Sequence, residues 1–192
     1  MKRINNDFYL DTDVVALSKS LLGKILFTKR NEVVTAGVII ETEAYAGIDD
    51  RASHAFGGRK TKRTKTMYER GGISYVYLCY GIHPLFNIVT NTEGIPDAIL
   101  IRAIEPFLGI EEICRRRNQT KVSAQICSGP GKVTQALGIG MKDNGISLTG
   151  NRIWLEDSGI EPNDAELLIG PRVGVGYAGE DALRSYRFLF RR

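Results

Sequence analysis

The sequence predicts a mixed α+β fold built on a largely antiparallel sheet. Three observations lead there. Extended stretches outnumber helical ones, they follow one another across short turns in the manner of hairpins, and helical spacing occurs only at intervals between them. With 192 residues, 43% of them hydrophobic, the chain can bury one sizeable core, so one domain over 1–192 is expected. No repeat, linker or low-complexity segment divides it.

Taken in order, Asp11-Thr12-Asp13 offers N-cap side chains. Val14, Leu17 and Leu21 follow at helical spacing and Gly23 stands where a cap ends a helix, which predicts a helix over 12–22. Ile25–Lys29 and Val33–Ala44 form a hairpin turning at Arg30-Asn31-Glu32. The polar, basic, glycine-bearing stretch 47–65 has little periodicity and is a long loop, a kind usually kept for function. Ser74–Tyr80 is an aromatic strand, Gly81-Ile82-His83-Pro84 its turn and Leu85–Thr90 the return strand. After a turn at Asn91–Gly94, Asp97–Glu105 is a strand ended by Pro106. Phe107–Arg117 reads as a helix, and Pro130 suits the first turn of another that Gly138 closes. Ile153–Leu155, Pro171–Tyr177 and Tyr186–Phe190 complete the strands.

The stretch Ile39-Ile40-Glu41-Thr42-Glu43-Ala44-Tyr45 carries the chemistry. Side chains alternate along a strand, so Val38, Ile40, Thr42 and Ala44 share a core-like face while Ile39, Glu41, Glu43 and Tyr45 share the other. The two carboxylates then stand ~7 Å apart. Like charges at that range disfavour double ionisation, and one raised carboxylate suits a general base or acid. Solvation of both on a half-exposed strand is the alternative.

The net charge is only +4, but the cations are clustered. Arg59–Lys65 holds five in seven positions, Arg115-Arg116-Arg117 is a second run, and Arg184, Arg187, Arg191 and Arg192 close the chain. Each run alone fits a solvated surface; three in a small domain favour a polyanion. Cys79, Cys114 and Cys127 show no CxxC spacing and the two histidines, His54 and His83, form no ligand motif, so neither a disulfide framework nor a metal centre is expected and a cytoplasmic setting is. The first seven residues lack the apolar core of a signal peptide, and no stretch is long enough to span a membrane, so no membrane partner is expected.

Gly174–Gly179 fits GxGxxG, but the thirteen residues after it are too few for a dinucleotide-binding βαβ unit. Gly129-Pro130-Gly131-Lys132 sets free N–H groups and Lys132 at a helix start, which serves either an anion or plain capping. Tyr75 and Tyr77 share a strand face and Tyr80 lies near the hairpin tip. They are either ordinary sheet aromatics or a purine-stacking surface with a wedge between bases. His54, in the polar loop, is a candidate ligand contact. Lys62 and Arg63 of the basic loop, with Lys132, are the candidates for the DNA backbone.

These stretches together resemble the alkyladenine (3-methyladenine) DNA glycosylase family, from the first helix nearly to the C terminus. The resemblance rests on Glu41-Thr42-Glu43-Ala44-Tyr45, Ala52-Ser53-His54, Tyr75 to Gly81, Asn87, Leu100 to Pro106, Gly129 to Lys132 and Arg172 to Gly176, in matching order and spacing. It implies a compact catalytic domain with a curved sheet, surrounding helices and a protruding hairpin that inserts into DNA, without the N-terminal extension of larger vertebrate members. It implies a monofunctional, cofactor-free base-excision-repair enzyme that flips methyladenine, methylguanine, hypoxanthine or ethenoadenine from duplex DNA and leaves an abasic site. In that reading Glu43 is the general base, Arg102 and the carbonyl of Val173 help hold its water, and Tyr80 fills the gap in the stack. Tyr45 and Tyr77 sandwich the base, His54 meets its edge, and Asn87 crowds the exocyclic amine of guanine. A monomer, nucleoid-associated in a bacterial cytoplasm, is expected. A non-cutting lesion binder would have no use for Glu43 beside a polyanion, and a nucleoside hydrolase none for the basic runs and Tyr80.

Overall fold

A computed structural model describes residues 1–191. Arg192, the last of the clustered cations, lies outside the described residues.

Among the described residues, nine strands form one unclosed, curved, wholly antiparallel sheet. They are β1 (Lys2–Arg3), β2 (Ile25–Arg30), β3 (Val33–Tyr45), β4 (Ile73–Cys79), β5 (His83–Thr90), β6 (Asp97–Leu108), β7 (Ile153–Asp157), β8 (Leu167–Gly170) and β9 (Arg187–Phe190). The order is β1-β7-β2-β3-β6-β5-β4, and β9 branches from β3 with β8 beside it. The α-helices are α1 (Val14–Ser20), α2 (Ile110–Arg116) and α3 (Pro130–Leu137), with short 3-10 turns elsewhere.

Local chemistry explains the elements. Asp13 caps α1 by accepting from the amides of Val15 and Ala16. The β2–β3 turn is Asn31-Glu32, both at positive φ, as a two-residue hairpin with native twist requires. Pro130 opens α3, and Gly138 ends it at φ 65°. The principal core lies under the helical face of the sheet. It joins Leu17 and Leu21 of α1, Ile113 of α2 and Val133 and Leu137 of α3 to Phe86, Ile88, Ile99 and Ile101 of the strands. A smaller cluster on the other face holds Ile25, Phe27, Val38 and Trp154, with the rings of Phe27 and Trp154 stacked at 5.1 Å.

Several sequence expectations are corrected. The β4–β5 turn is Tyr80-Gly81-Ile82, while His83 and Pro84 belong to β5 and pair with Cys79 and Leu78. Pro106 does not end β6, which runs on to Leu108; at Pro106 the register with β3 shifts, and a bulge tolerates a missing N–H. The helix expected over 107–117 starts only at Ile110, after Gly109 at φ 71°. Pro171–Tyr177 is a loop leading into 3-10 turns; the strand in this region is β8, and β1 also went unpredicted. Gly174–Gly179 belongs to that loop and its turns.

The alternation expected along β3 also breaks. Ile39 pairs with Ile104, Glu41 with Ala103 and Thr42 with Ile101, so Ile40 on β3 and Arg102 on β6 each stand without a partner. These bulges put Ile39 in the principal core beside Ala44, and Val38 in the other cluster. Bulges re-aim side chains, and these two fall where the acidic pair sits.

Candidate active site

The site is laid out by strand register. Tyr75 of β4 pairs with Asn87 of β5, Asn87 with Leu100 of β6, Leu100 with Glu43 of β3, and Glu43 with Arg187 of β9. Because side chains alternate, this row and its neighbours point Tyr75, Tyr77, Asn87, Arg102, Glu43 and Tyr45 away from the helices, while Val76, Phe86, Ile88, Ile99 and Ile101 fill the principal core. Strands ~4.8 Å apart spread this row over roughly 19 Å.

Glu43 is fully buried. Its Oε1 accepts from the Val173 amide at 2.7 Å and lies 3.4 Å from Nη1 of Arg102; its Oε2 accepts from the Tyr45 hydroxyl at 2.9 Å. The Val173 amide and the Tyr45 hydroxyl donate and Arg102 supplies a cation, all of which favour an acceptor-only carboxylate. A carboxylate has about four lone-pair sites, so two hydrogen-bond donors leave room for a water. Burial raises the Glu43 pKa above the ordinary range, against the pull of Arg102, the Val173 amide and Tyr45. Glu41 raises it too, as the spacing suggests, but burial is the main cause and the Glu41 effect is the smallest of those named. Glu41 is itself buried and bound by Nε of Arg102 at 3.0 Å and Nε of Arg187 at 2.6 Å, so the two acids face two cations. Neither carboxylate is solvated.

The loop that delivers Val173 is held by its neighbour. Arg172 forms a buried, two-pronged ion pair with Asp50, donates to the Ala44 carbonyl at 2.8 Å and stacks 4.8 Å from the Tyr45 ring. Asp50 also accepts from the Ala46 and Ala52 amides. This fastens the segments on either side of Tyr45 to the 171–175 loop.

Beside Glu43 lies a small cavity of about 40 Å³ between Tyr45, His54, Tyr75, Tyr77, Asn87 and Tyr177. It opens toward a cleft of about 410 Å³ bordered by Tyr80, Arg102, Pro130 and Val173. His54 and Tyr77 meet edge to face at 4.6 Å. His54 Nδ1 is 2.9 Å from the Tyr75 hydroxyl and Nε2 is 3.0 Å from Nη2 of Arg63. Arginine only donates, so Nε2 accepts and Nδ1 carries the proton. Burial, then Arg63 and Arg59, lower the His54 pKa to about 4, so the ring is neutral at pH 7. The Asn87 amide donates to the Tyr75 carbonyl at 3.1 Å.

The structure therefore gathers Glu43, Arg102, Val173, Tyr45, His54, Tyr77 and Asn87. Tyr80 stands at the tip of the β4–β5 hairpin, 91% exposed and at φ 50°, a conformation uncommon for a bulky residue. Lys62 is exposed, and Lys132 in the first turn of α3 donates to the Gln125 carbonyl. Arg63 lies at the mouth of the cavity, its guanidinium 4.7 Å above the Tyr77 ring. The Val173 group bonded to Glu43 is its N–H. Sequence reasoning missed Arg172, Asp50 and Tyr177. Arg172 adjoined a residue already singled out, but nothing local marked Asp50 as its partner. Among the described residues no cluster of His, Cys, Asp and Glu is arranged to hold a metal, and no helix is long and apolar enough to cross a membrane.

Comparison with known proteins places the whole chain in one family. The family model for methylpurine-DNA glycosylase matches residues 7–192. A Chlamydia felis protein is 45% identical over 183 residues, covering 95% of this chain and 93% of its own. A Clostridium novyi protein is 39% identical over 198 residues, covering 100% and 96%, and one from Bacillus cereus is 38% identical over 194 residues, covering 95% and 93%. All three are provisionally named 3-methyladenine DNA glycosylases.

Proposed function

The chain belongs to the methylpurine-DNA glycosylase family and is a DNA N-glycosylase of DNA repair, and from that premise we propose that its single domain binds duplex DNA as a monomer, turns a damaged purine into the cavity beside Glu43 and hydrolyses its glycosidic bond. The observation that carries this reading is the fully buried Glu43, held by two hydrogen-bond donors and the Arg102 cation in one strand-register row with Asn87 and Tyr75.

Loss of a purine from C1′ builds positive charge on the sugar. The Glu43 carboxylate beside that carbon stabilises it, and its free lone pair takes a proton from the attacking water. The water oxygen bonds to C1′ while the C1′–N9 electron pair leaves with the base. Arg102, the Val173 amide and the Tyr45 hydroxyl favour the ionised form of Glu43 and oppose the effect of its burial. An alkylated purine is cationic and leaves as a neutral base. A neutral lesion such as hypoxanthine or ethenoadenine needs a proton on its ring as it departs. Tyr45 and Tyr77 are the stacking faces, His54 the edge contact, and Asn87 excludes the amine of guanine. Tyr80 fills the gap in the stack, which offsets part of the few kcal/mol that flipping costs. Lys62 and Lys132 meet phosphates, and no covalent intermediate forms.

The test is single-turnover treatment of duplexes that each carry one methylated adenine, methylated guanine, hypoxanthine or ethenoadenine. Strand breaks that need alkali, at lesion duplexes alone, are expected. Breaks without alkali would contradict the monofunctional reaction, and no product from any duplex would leave a lesion binder.

A further inference from the structure

The cavity beside Glu43, about 40 Å³, holds a few waters and not a two-ring purine. A base comes to it through the adjoining cleft, which shares Tyr45, His54, Tyr77 and Tyr177 with the cavity and is also lined by Arg63. Most of the cavity's walls are tied down: Tyr45 to Glu43, His54 to Tyr75, Asn87 to the Tyr75 carbonyl and Tyr177 to the Ala52 carbonyl. Arg63, which lines the cleft in front of them, is held differently. Its backbone is fixed by the turn in which Thr64 Oγ1 accepts from the Thr61 amide and donates to the Arg59 carbonyl. Its side chain is exposed, long and flexible, and reaches the cavity mouth through the Tyr77 ring, Nε2 of His54 and the Tyr75 hydroxyl. The first two of these contacts occupy surfaces that a purine would use, one for stacking and one for its polar edge. Arg63 is also one of the five cations of Arg59–Lys65, the densest basic run in the chain.

We propose that Arg63 is a specificity-determining gate: in the free protein its guanidinium covers Tyr77 and His54 and keeps the purine cavity shut, and the phosphates of a bound duplex draw it away. The gate rests on the cavity being the purine site. A purine arriving on DNA brings the phosphates that release Arg63. A free purine brings none, and binds only the fraction of protein whose gate stands open, so its apparent affinity falls by that fraction. The enzyme thus takes purines presented on a duplex and resists free bases, including its own product. As the gate opens, Nε2 of neutral His54 becomes an acceptor for an N–H on the base.

The test compares wild type, Arg63→Ala and Lys62→Ala. Free hypoxanthine is titrated against each protein without DNA, read by tyrosine fluorescence, and then used as an inhibitor of lesion-duplex excision. For Arg63→Ala the gate predicts about fivefold tighter binding of free hypoxanthine, which is roughly 1 kcal/mol at 1.4 kcal/mol per tenfold and is the size of a partly exposed cation–π contact. It also predicts weaker duplex binding, with a salt slope shallower by about one phosphate. Lys62→Ala should weaken duplex binding and leave the hypoxanthine affinity at the wild-type value. Unchanged or weaker hypoxanthine binding by Arg63→Ala overturns the gate, as does an equal gain in Lys62→Ala, which would assign the effect to loop charge. The titration needs no catalysis, so a wild type that excises nothing would sink the reaction proposed above while the gate is still decided.

Discussion

The backbone amide of Val173 donates a 2.7 Å hydrogen bond to Oε1 of Glu43, across 130 positions of sequence. The bond exists because Arg172, the preceding residue, is clamped to Asp50 in a fully buried ion pair. One contact of the Glu43 carboxylate thus depends on a salt bridge that lines neither the cavity nor the cleft.

Removing one partner of a buried pair strands the other charge, at a cost of about 3–5 kcal/mol. Asp50→Ala should lose stability of that order in urea denaturation and slow excision. Burial alone would raise the Asp50 pKa, but Arg172 and the Ala52 and Ala46 amides outweigh it and the carboxyl is held below its usual range. Its stabilisation is therefore present above the unfolded pKa of about 4 and lost as pH falls through the lower folded value. A variant with wild-type stability would show that the clamp is dispensable.

The raised pKa of Glu43 has two consequences. Single-turnover excision of a cationic lesion should rise with pH through an inflection above the usual glutamate value of about 4.3. Tyr45→Phe removes a donor to the ionised form and should move that inflection higher still. For stability the sign is opposite to that of Asp50, because a raised folded pKa favours the folded state when protonated and that advantage is lost as pH rises through the folded value. A flat pH profile, or a downward shift in Tyr45→Phe, would contradict this account of Glu43.

His54, with a pKa of about 4 set by burial, Arg63 and Arg59, should stay neutral from pH 5 to 8. Its ring protons should show no titration there by NMR. Its folded pKa lies below the unfolded value of about 6.5, so the contribution to stability is complete above pH ~6.5 and is lost as pH falls toward 4. A midpoint near 6.5 in the folded protein would mean the ring is open to water.

Tyr80→Ser should weaken binding of a lesion duplex about tenfold, within the ~1–3 kcal/mol of an aromatic stacked on a base, and lower single-turnover cleavage at saturating enzyme less. Equal affinity would remove the wedge role.

Much of this site was legible in sequence because its residues sit on strands, where a period of two decides which side chains share a surface. Tyr75 with Tyr77, and Glu41 with Glu43 and Tyr45, followed from that rule. It failed at Ile39 and Ile40, since paired bulges come from the fit between two strands and leave no mark on one. The pKa of Glu43 was expected from Glu41, but burial dominates, and burial is a property of the folded chain. Asp50 and Arg172 found each other only through the fold, as did Arg63 and Tyr77. The strand at 171–177 was misplaced because Val173 and Val175 pack against the site from a loop whose glycines permit turns.

The central claim is that Glu43 performs the chemistry. The most direct test is Glu43→Gln, assayed for lesion-duplex binding and for single-turnover excision followed by alkali. The account predicts binding close to wild type and excision lowered by about 10³-fold or more, the combined scale of a lost general base and a lost charge. Excision at the wild-type rate would place the base elsewhere and leave Glu43 a buried structural acid.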